Sequence, residues 1–222
     1  MSRMINHALI MAAGRGARLM PLTDIVPKAM VPYAGSTLIA IGIDKIRAHI
    51  PNIYITVGYK GAMLASHVIE HNVTAIFNTE GHDNAWWIFN TLMKHLNEPI
   101  FVLTCDNVTD LDFEMLSNEY FSFDSPACMV VPVKPVEGLE GDYIFHDNNV
   151  VKKISRTEPA DSYCSGIQVL NPYKINQLMV PVENFYDLWN RLIEQQQLYS
   201  SRSFPSKWFV VDTVEQLQRL KG

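Results

Sequence analysis

The spacing of apolar and polar positions along the chain divides it into elements. From His7 to Ala13 the residues are almost wholly apolar, and Gly14 and Gly16 break the run, the pattern of a buried strand opening into a loop. Leu38, Ile39, Ile41, Ile46 and Ile50 then recur at roughly helical spacing behind Ser36, the predicted N-cap, and the β-branched run Ile53 to Val57 reads as a second strand. A helix from about Lys60 to His71, a strand from Ala75 to Phe77, a helical face of Ala85, Ile88, Phe89, Leu92 and Leu96, and a strand from Ile100 to Thr104 continue the alternation. Apolar strands that alternate with helices predict a parallel sheet covered on both faces.

The second half is less regular. Ala127 to Val133, Tyr143 to His146, Val150 to Ile154 and Tyr163 to Val169 are predicted strands joined by short turns such as Asp147-Asn148-Asn149, so the sheet is expected to become mixed there. A helix over Phe185 to Tyr199, a strand at Trp208 to Val211 and a helix from Thr213 close the chain. No repeat, low-complexity segment or linker interrupts its 222 residues, and at about 150 residues per domain one mixed α/β domain is the simplest expectation.

Composition narrows the function. Apolar residues make up 48% and charged residues 18%, which excludes a disordered chain, a collagen-like repeat and a coiled coil. The net charge is −5, and no segment interleaves basic and aromatic residues, so a nucleic-acid partner is not expected. No stretch of about 18 apolar residues occurs and the first residues lack a signal-peptide core, which points to the cytoplasm and away from a membrane. Cys105, Cys128 and Cys164 are odd in number and dispersed, as reduced thiols are, and form no Cys-x-x-Cys zinc pattern.

The loop after the first strand carries the most chemistry. It runs Gly14-Arg15-Gly16-Ala17-Arg18-Leu19-Met20-Pro21-Leu22-Thr23, with Pro27-Lys28 following. Glycines leaving a strand let backbone N–H groups approach phosphates, and arginine forks and a lysine add positive charge. A Walker loop fails for want of Gly-Lys-Ser/Thr, and a dinucleotide fingerprint fails because Leu19 stands where its third glycine belongs. The segment therefore reads either as a triphosphate cradle or as a solvated basic loop.

Two aspartates follow strand ends. Asp106, after Ile100 to Thr104, is placed where ligands gather in open α/β sheets, and a carboxylate facing phosphates implies Mg²⁺ between them. Asp212, after Trp208 to Val211, is a second candidate ligand. Asp212 or Thr213 can alternatively cap the following helix, with Gln216 completing a capping box. Asp110 and Asp112 read as the loop and cap before a helix at Phe113, and the seven scattered histidines read as surface or packing residues.

The loop with Pro27-Lys28 resembles the opening signature of the sugar-phosphate nucleotidylyltransferases, also called nucleotide-sugar pyrophosphorylases: Gly-x-Gly-Thr-Arg-Leu-x-Pro-Leu-Thr, then Pro-Lys. Ala17 replaces the usual threonine. Leu103 to Asn107 is similar to the family's central Gly-Asp-Asn/Asp segment, Trp208 to Thr213 to its late Trp-x-Asp-x-Asp/Gly-Thr segment, and Ser165-Gly166-Ile167 to its Ser/Thr-Gly-Ile/Leu segment. The resemblance implies one three-layer α/β domain over residues 1–222, with a mixed, mainly parallel, Rossmann-like sheet of the nucleotide-diphospho-sugar transferase type. It implies Arg18 and Lys28 as catalytic residues and Asp106 and Asp212 as Mg²⁺ ligands. Ala12, Ala13, Gly14, Arg15, Gly16, Ala17, Asn78 and Asn84 become the expected nucleotide contacts.

Acceptor contacts are expected from Trp87, Asp142, Lys153, Arg156, Ser165 and Gly166, although these charges also read as solvated turns. The family's acceptor lysine in a Glu-Lys-Pro context has no counterpart, and Lys153 or Arg156 is the expected replacement. Asn78 to Trp87 is more similar to the corresponding segment of the phosphocholine cytidylyltransferases. On a helical projection Trp86 falls on the core side and Trp87 nearly opposite, so Trp87 is expected at a surface or as a wall facing a sugar or a quaternary ammonium. The implied reaction joins a nucleoside triphosphate to a small phosphorylated acceptor, first a sugar 1-phosphate, second phosphocholine or a phosphonate. A catalytically silent nucleotide-binding subunit and homo-oligomerisation remain open, whereas a glycosyltransferase would need Asp-x-Asp where Asp106-Asn107-Val108 stands.

Overall fold

A computed structural model describes residues 3–136 and 141–220. In chain order its elements are β1 (His7–Met11), α1 (Leu22–Ile25), β2 (Pro32–Tyr33), β3 (Ser36–Thr37), α2 (Leu38–Arg47), β4 (Asn52–Val57), α3 (Gly61–Ile69), β5 (Ala75–Asn78) and α4 (Trp86–Asn90). There follow β6 (Ile100–Thr104), β7 (Asn107–Asp110), α5 (Phe113–Ser122), β8 (Cys128–Val133), β9 (Tyr143–Asp147), β10 (Val150–Ser155) and β11 (Tyr163–Leu170). The last are α6 (Pro172–Leu178), α7 (Phe185–Glu194), β12 (Leu198–Ser200), β13 (Lys207–Val210) and α8 (Val214–Arg219). Short 3-10 turns cover Ala17–Leu19, Lys28–Met30 and Leu92–His95.

These elements pack as two compact units. One comprises the described residues of 6–82, 103–109 and 207–222, the other those of 1–5, 83–102 and 110–206. In the first, β1, β4 and β5 pair in parallel, with Leu9 opposite Tyr54 and Ile55 opposite Ile76. Ala8, Leu9, Ile53 and Ile55 are fully buried, as strands covered on both faces must be. Leu19, Val31, Leu38, Val108, Val211 and Leu217 form a separate apolar cluster, which gathers the loop after β1, the start of α2, β7 and the segment around α8.

In the second unit the sheet is mixed. β11 pairs antiparallel with β6 and β8, β8 pairs in parallel with β12, and β10 pairs antiparallel with β12 and β9. A further pairing of Tyr163 with Tyr143 joins β11 to β9. Asn148 and Asn149 both take positive φ, 48° and 68°, which makes the expected tight turn between β9 and β10.

Several boundaries differ from expectation for local reasons. Thr37, not Ser36, caps α2: its side chain accepts from Ala40 N at 3.2 Å, while Ser36 lies in β3. The helical face drawn from Ala85 to Leu96 is broken at Thr91. The Thr91 hydroxyl donates to Trp87 O at 2.8 Å and accepts from Met93 N at 3.2 Å, ending α4 and capping the next 3-10 turn. Leu92 is thereby turned outward and is 77% exposed. The helix expected to run to Tyr199 stops at Glu194, since Gln196 adopts φ 56° and the chain re-enters the sheet as β12. α6 has no counterpart among the expected elements; Asn171 caps it by accepting from Lys174 N at 2.9 Å, and Pro172 sits in its first turn.

Candidate active site

The site is built from four stretches of the first unit. The loop leaves β1 at Met11 and bends at Gly16, whose φ of 66° favours glycine. A Cβ on Gly16 would lie 2.8 Å from Lys28 Cβ, so this glycine also lets the lysine stem pack against the loop. Fully buried Thr23 donates from Oγ1 to Gly16 O at 3.0 Å, and the Tyr59 hydroxyl donates to Thr23 O at 3.1 Å. Among the described residues the N–H groups of Gly14, Arg15, Gly16 and Ala17 have no backbone acceptor, and a Cβ on Gly14 would meet nothing within 4 Å. The loop is thus anchored from behind and open in front.

Lys28 begins the turn after Pro27, and two carboxylates converge on it. Its ammonium donates to Asp106 Oδ2 and to Asp212 Oδ1, while Arg18 Nη2 stands 3.0 Å from Asp212 Oδ2. The Lys28, Asp106 and Asp212 side chains are only 11%, 17% and 19% exposed. Burial pulls the Lys28 ammonium toward deprotonation, but the Asp106 charge and the hydrogen bonds it donates to both aspartates more than offset it, so its pKa stands above the ordinary lysine value. Beside it the Cys105 thiol is pushed up to about 12, first by burial and then by the Asp106 charge, and stays protonated at neutral pH.

Backbone contacts hold both aspartates. Cys105 N donates to Met11 O at 3.0 Å, and Val211 N donates to Asp106 O at 3.0 Å. The next residue, not Asp212, provides the helix cap. Thr213 caps α8 by accepting from Gln216 N at 3.2 Å, and Gln216 Oε1 accepts from Thr213 N at 3.0 Å and from Asp212 N at 2.7 Å. The Asp212 carboxylate is therefore free of capping duty and faces the cations. Asp112, as expected, caps α5 by accepting from Met115 N at 2.8 Å.

Other expected contacts are arranged differently. Ala12 N already donates to Thr56, and Ala13 O accepts from Tyr59 N at 3.0 Å. Arg15 lies over the Tyr59 ring at 5.3 Å and faces Asp24 at 3.6 Å. Asn78 Oδ1 accepts from Glu80 N at 3.0 Å. In the other unit Asn84 Oδ1 accepts from Phe185 N at 2.9 Å, which fixes the start of α7.

The acceptor candidates also lie in that unit. Arg156 Nε donates to Asp142 Oδ1 at 2.9 Å and its guanidinium stacks 4.5 Å from the Tyr186 ring, while Lys153 pairs with Glu158. Buried Ser165 donates to Val131 O at 2.7 Å and accepts from Ile167 N at 3.0 Å; with Gly166 at φ 82° it forms the irregularity where the β11–β8 register shifts. Glu140, in the segment containing Asp142, lies outside the described residues. Trp87 is a correction: it is 1% exposed and belongs to the core, whereas Trp86 is half-buried. With α4 reduced to Trp86–Asn90, a projection through Leu96 assigned the two faces wrongly.

The first unit therefore brings two cations and two carboxylates together beside a loop with open N–H groups. The chain belongs to the nucleotidyl transferase family, whose profile matches residues 7–208. It is similar to the mannose-1-phosphate guanyltransferases of Debaryomyces hansenii, 27% identical over 208 residues, and Pichia angusta, 29% identical over 219 residues. Those matches cover 86% and 91% of this chain but 57% and 60% of the relatives, so the chain spans less than two thirds of their length. In fold it is similar to the CTP:phosphocholine cytidylyltransferase of Streptococcus pneumoniae, with a TM-score of 0.76, 21% identity and 98% of each chain covered.

The carboxylates suit the implied metal. Among the described residues no group of three or more His, Cys, Asp or Glu side chains is placed to hold one alone. Two carboxylates plus phosphate oxygens is, however, the usual donor set for Mg²⁺, and the Lys28 ammonium stands between them as a cation would. Among the described residues no helix is long and apolar enough to cross a membrane.

Proposed function

We propose that residues 1–222 form one nucleotidyltransferase domain that joins a nucleoside triphosphate to a sugar 1-phosphate, releasing pyrophosphate. The observation that carries this reading is the convergence of Arg18, Lys28, Asp106 and Asp212 beside the open loop. The named activity of the similar guanyltransferases supports the acceptor class.

A phosphate monoester has a second pKa of about 6, so at neutral pH the acceptor is already largely dianionic. Its oxygen attacks the α-phosphorus in line, the bond to the β-phosphate bridge breaks, and pyrophosphate leaves with the electron pair. No protein base is needed. The work left to the chain is positioning and charge stabilisation. The N–H groups of Gly14 to Ala17 hold triphosphate oxygens, while Arg18 and Lys28 counter the charge that moves to the leaving group. Ala17 supplies an N–H but no hydroxyl. Mg²⁺ held by Asp106 and Asp212 would supply further neutralisation of phosphate charge.

The second reading, transfer of cytidylate to phosphocholine or a phosphonate, loses its aromatic wall with the burial of Trp87. Pyrophosphate release from four nucleoside triphosphates, each paired with sugar 1-phosphates, phosphocholine and 2-aminoethylphosphonate, with and without Mg²⁺, tests both. Mg²⁺-dependent release with a sugar 1-phosphate is expected. Release only with phosphocholine or the phosphonate transfers the assignment, and no release from any pair leaves a silent nucleotide-binding protein.

A further inference from the structure

We propose that Lys28 is the resting counter-ion of the metal site and competes with the divalent cation, so that metal enters together with the triphosphate and not before it. The inference rests on the nucleotidyltransferase reading, but its evidence is the arrangement of charges. The Lys28 ammonium binds one oxygen of Asp106 and one of Asp212, and Arg18 takes the second oxygen of Asp212. Two positive and two negative charges already balance. A divalent ion bound to both carboxylates must displace the ammonium.

The displaced group cannot travel far. A Cβ on Gly16 would lie 2.8 to 3.0 Å from Lys28 Cβ, Cγ and Cδ, which shows how closely the stem is held to the loop. The ammonium therefore remains near the N–H groups of Gly14 to Ala17, where a triphosphate provides new anionic partners. Without nucleotide, eviction leaves a poorly exposed ammonium uncompensated while Mg²⁺ surrenders tightly held water. With nucleotide, the ammonium exchanges carboxylates for phosphate and the metal gains phosphate ligands. One lysine thus couples the two binding events.

Mn²⁺ binding, followed by electron paramagnetic resonance without any nucleotide, tests this. Lys28→Met keeps an unbranched stem against Gly16 and removes the charge. Lys28→Gln is also neutral and can still donate to one carboxylate, which guards against a misfolded Met variant. Both neutral variants should bind Mn²⁺ at least about tenfold more tightly than the wild type, whereas Lys28→Arg should not. Equal or weaker binding by a folded neutral variant overturns the proposal. So does a wild type that binds Mn²⁺ as tightly alone as with a non-hydrolysable triphosphate. Neither readout uses turnover, so failure here is separate from failure to release pyrophosphate.

Discussion

In the loop-bearing unit Lys28 faces two carboxylates at once and Arg18 shares one of them, whereas in the other unit Arg156 faces Asp142 and Lys153 faces Glu158 as separate pairs. Lys28, Asp106 and Asp212 are poorly exposed, although Arg18 itself is 71% exposed, whereas the Arg156 and Lys153 side chains are 66% and 51% exposed. Exposed pairs contribute at most about 1 kcal/mol, and burying charges costs several kcal/mol before their attraction is counted. Stability alone gives little reason to gather the three charges of Lys28, Asp106 and Asp212 at poorly exposed positions. The contrast separates a converging, largely buried charge cluster from isolated pairs at the surface.

The sharpest way to break that contrast is Asp106→Asn. Asparagine keeps a hydrogen-bond acceptor for Lys28, and the ammonium retains Asp212, so unfolding free energy should change by less than about 2 kcal/mol. Pyrophosphate release should fall by about 10² to 10³, the scale of removing one charge-stabilising group from a transition state. Chemical denaturation and steady-state turnover on the same preparation check both halves. A large loss of stability with proportionate loss of turnover would make Asp106 a structural ion-pair partner.

Ser165→Ala should give the opposite division. Ser165 bridges Val131 O and Ile167 N inside the sheet, and its loss leaves two buried backbone groups short of partners at a cost of about 1 to 3 kcal/mol. Once folded, the variant should keep the wild-type Michaelis constant for the acceptor within about twofold, because this hydroxyl is already spent on backbone. A selective rise in that constant, with stability unchanged, would return Ser165 to the acceptor contacts suggested by its motif.

The same division governs how much could be read from sequence. Gly16, Arg18, Lys28, Asp106 and Asp212 lie in motifs whose spacing reflects direct requirements: a positive φ, a strand end, cations that meet carboxylates. Strands β4, β6 and β11 were also visible because their apolar runs are short and bounded by polar turns. Less visible were contacts made by residues far apart in the chain. Nothing local distinguishes Tyr59 as the donor to Thr23 O, 36 residues away. The Ser165 motif was seen, but the acceptor role it implied says nothing of Val131 O, which lies across the sheet.

Trp87 shows how one unseen hydrogen bond can reverse a reading. A side chain-to-backbone bond from Thr91 ends α4 after five residues, which changes which tryptophan is covered. Within the core, Trp87 Nε1 has no hydrogen-bond partner among the described residues. An unpaired buried donor costs about 1 to 3 kcal/mol, and trimming an indole to a phenyl ring leaves a cavity of comparable cost. In Trp87→Phe these effects oppose each other, so the unfolding free energy should move by less than about 1 kcal/mol, with the acceptor Michaelis constant unchanged within about twofold. Urea unfolding and acceptor titration provide the measurements. A selective weakening of acceptor binding would place the indole at the substrate after all, whereas a loss of several kcal/mol would show that Nε1 satisfies a partner, such as buried water, that the protein side chains do not supply.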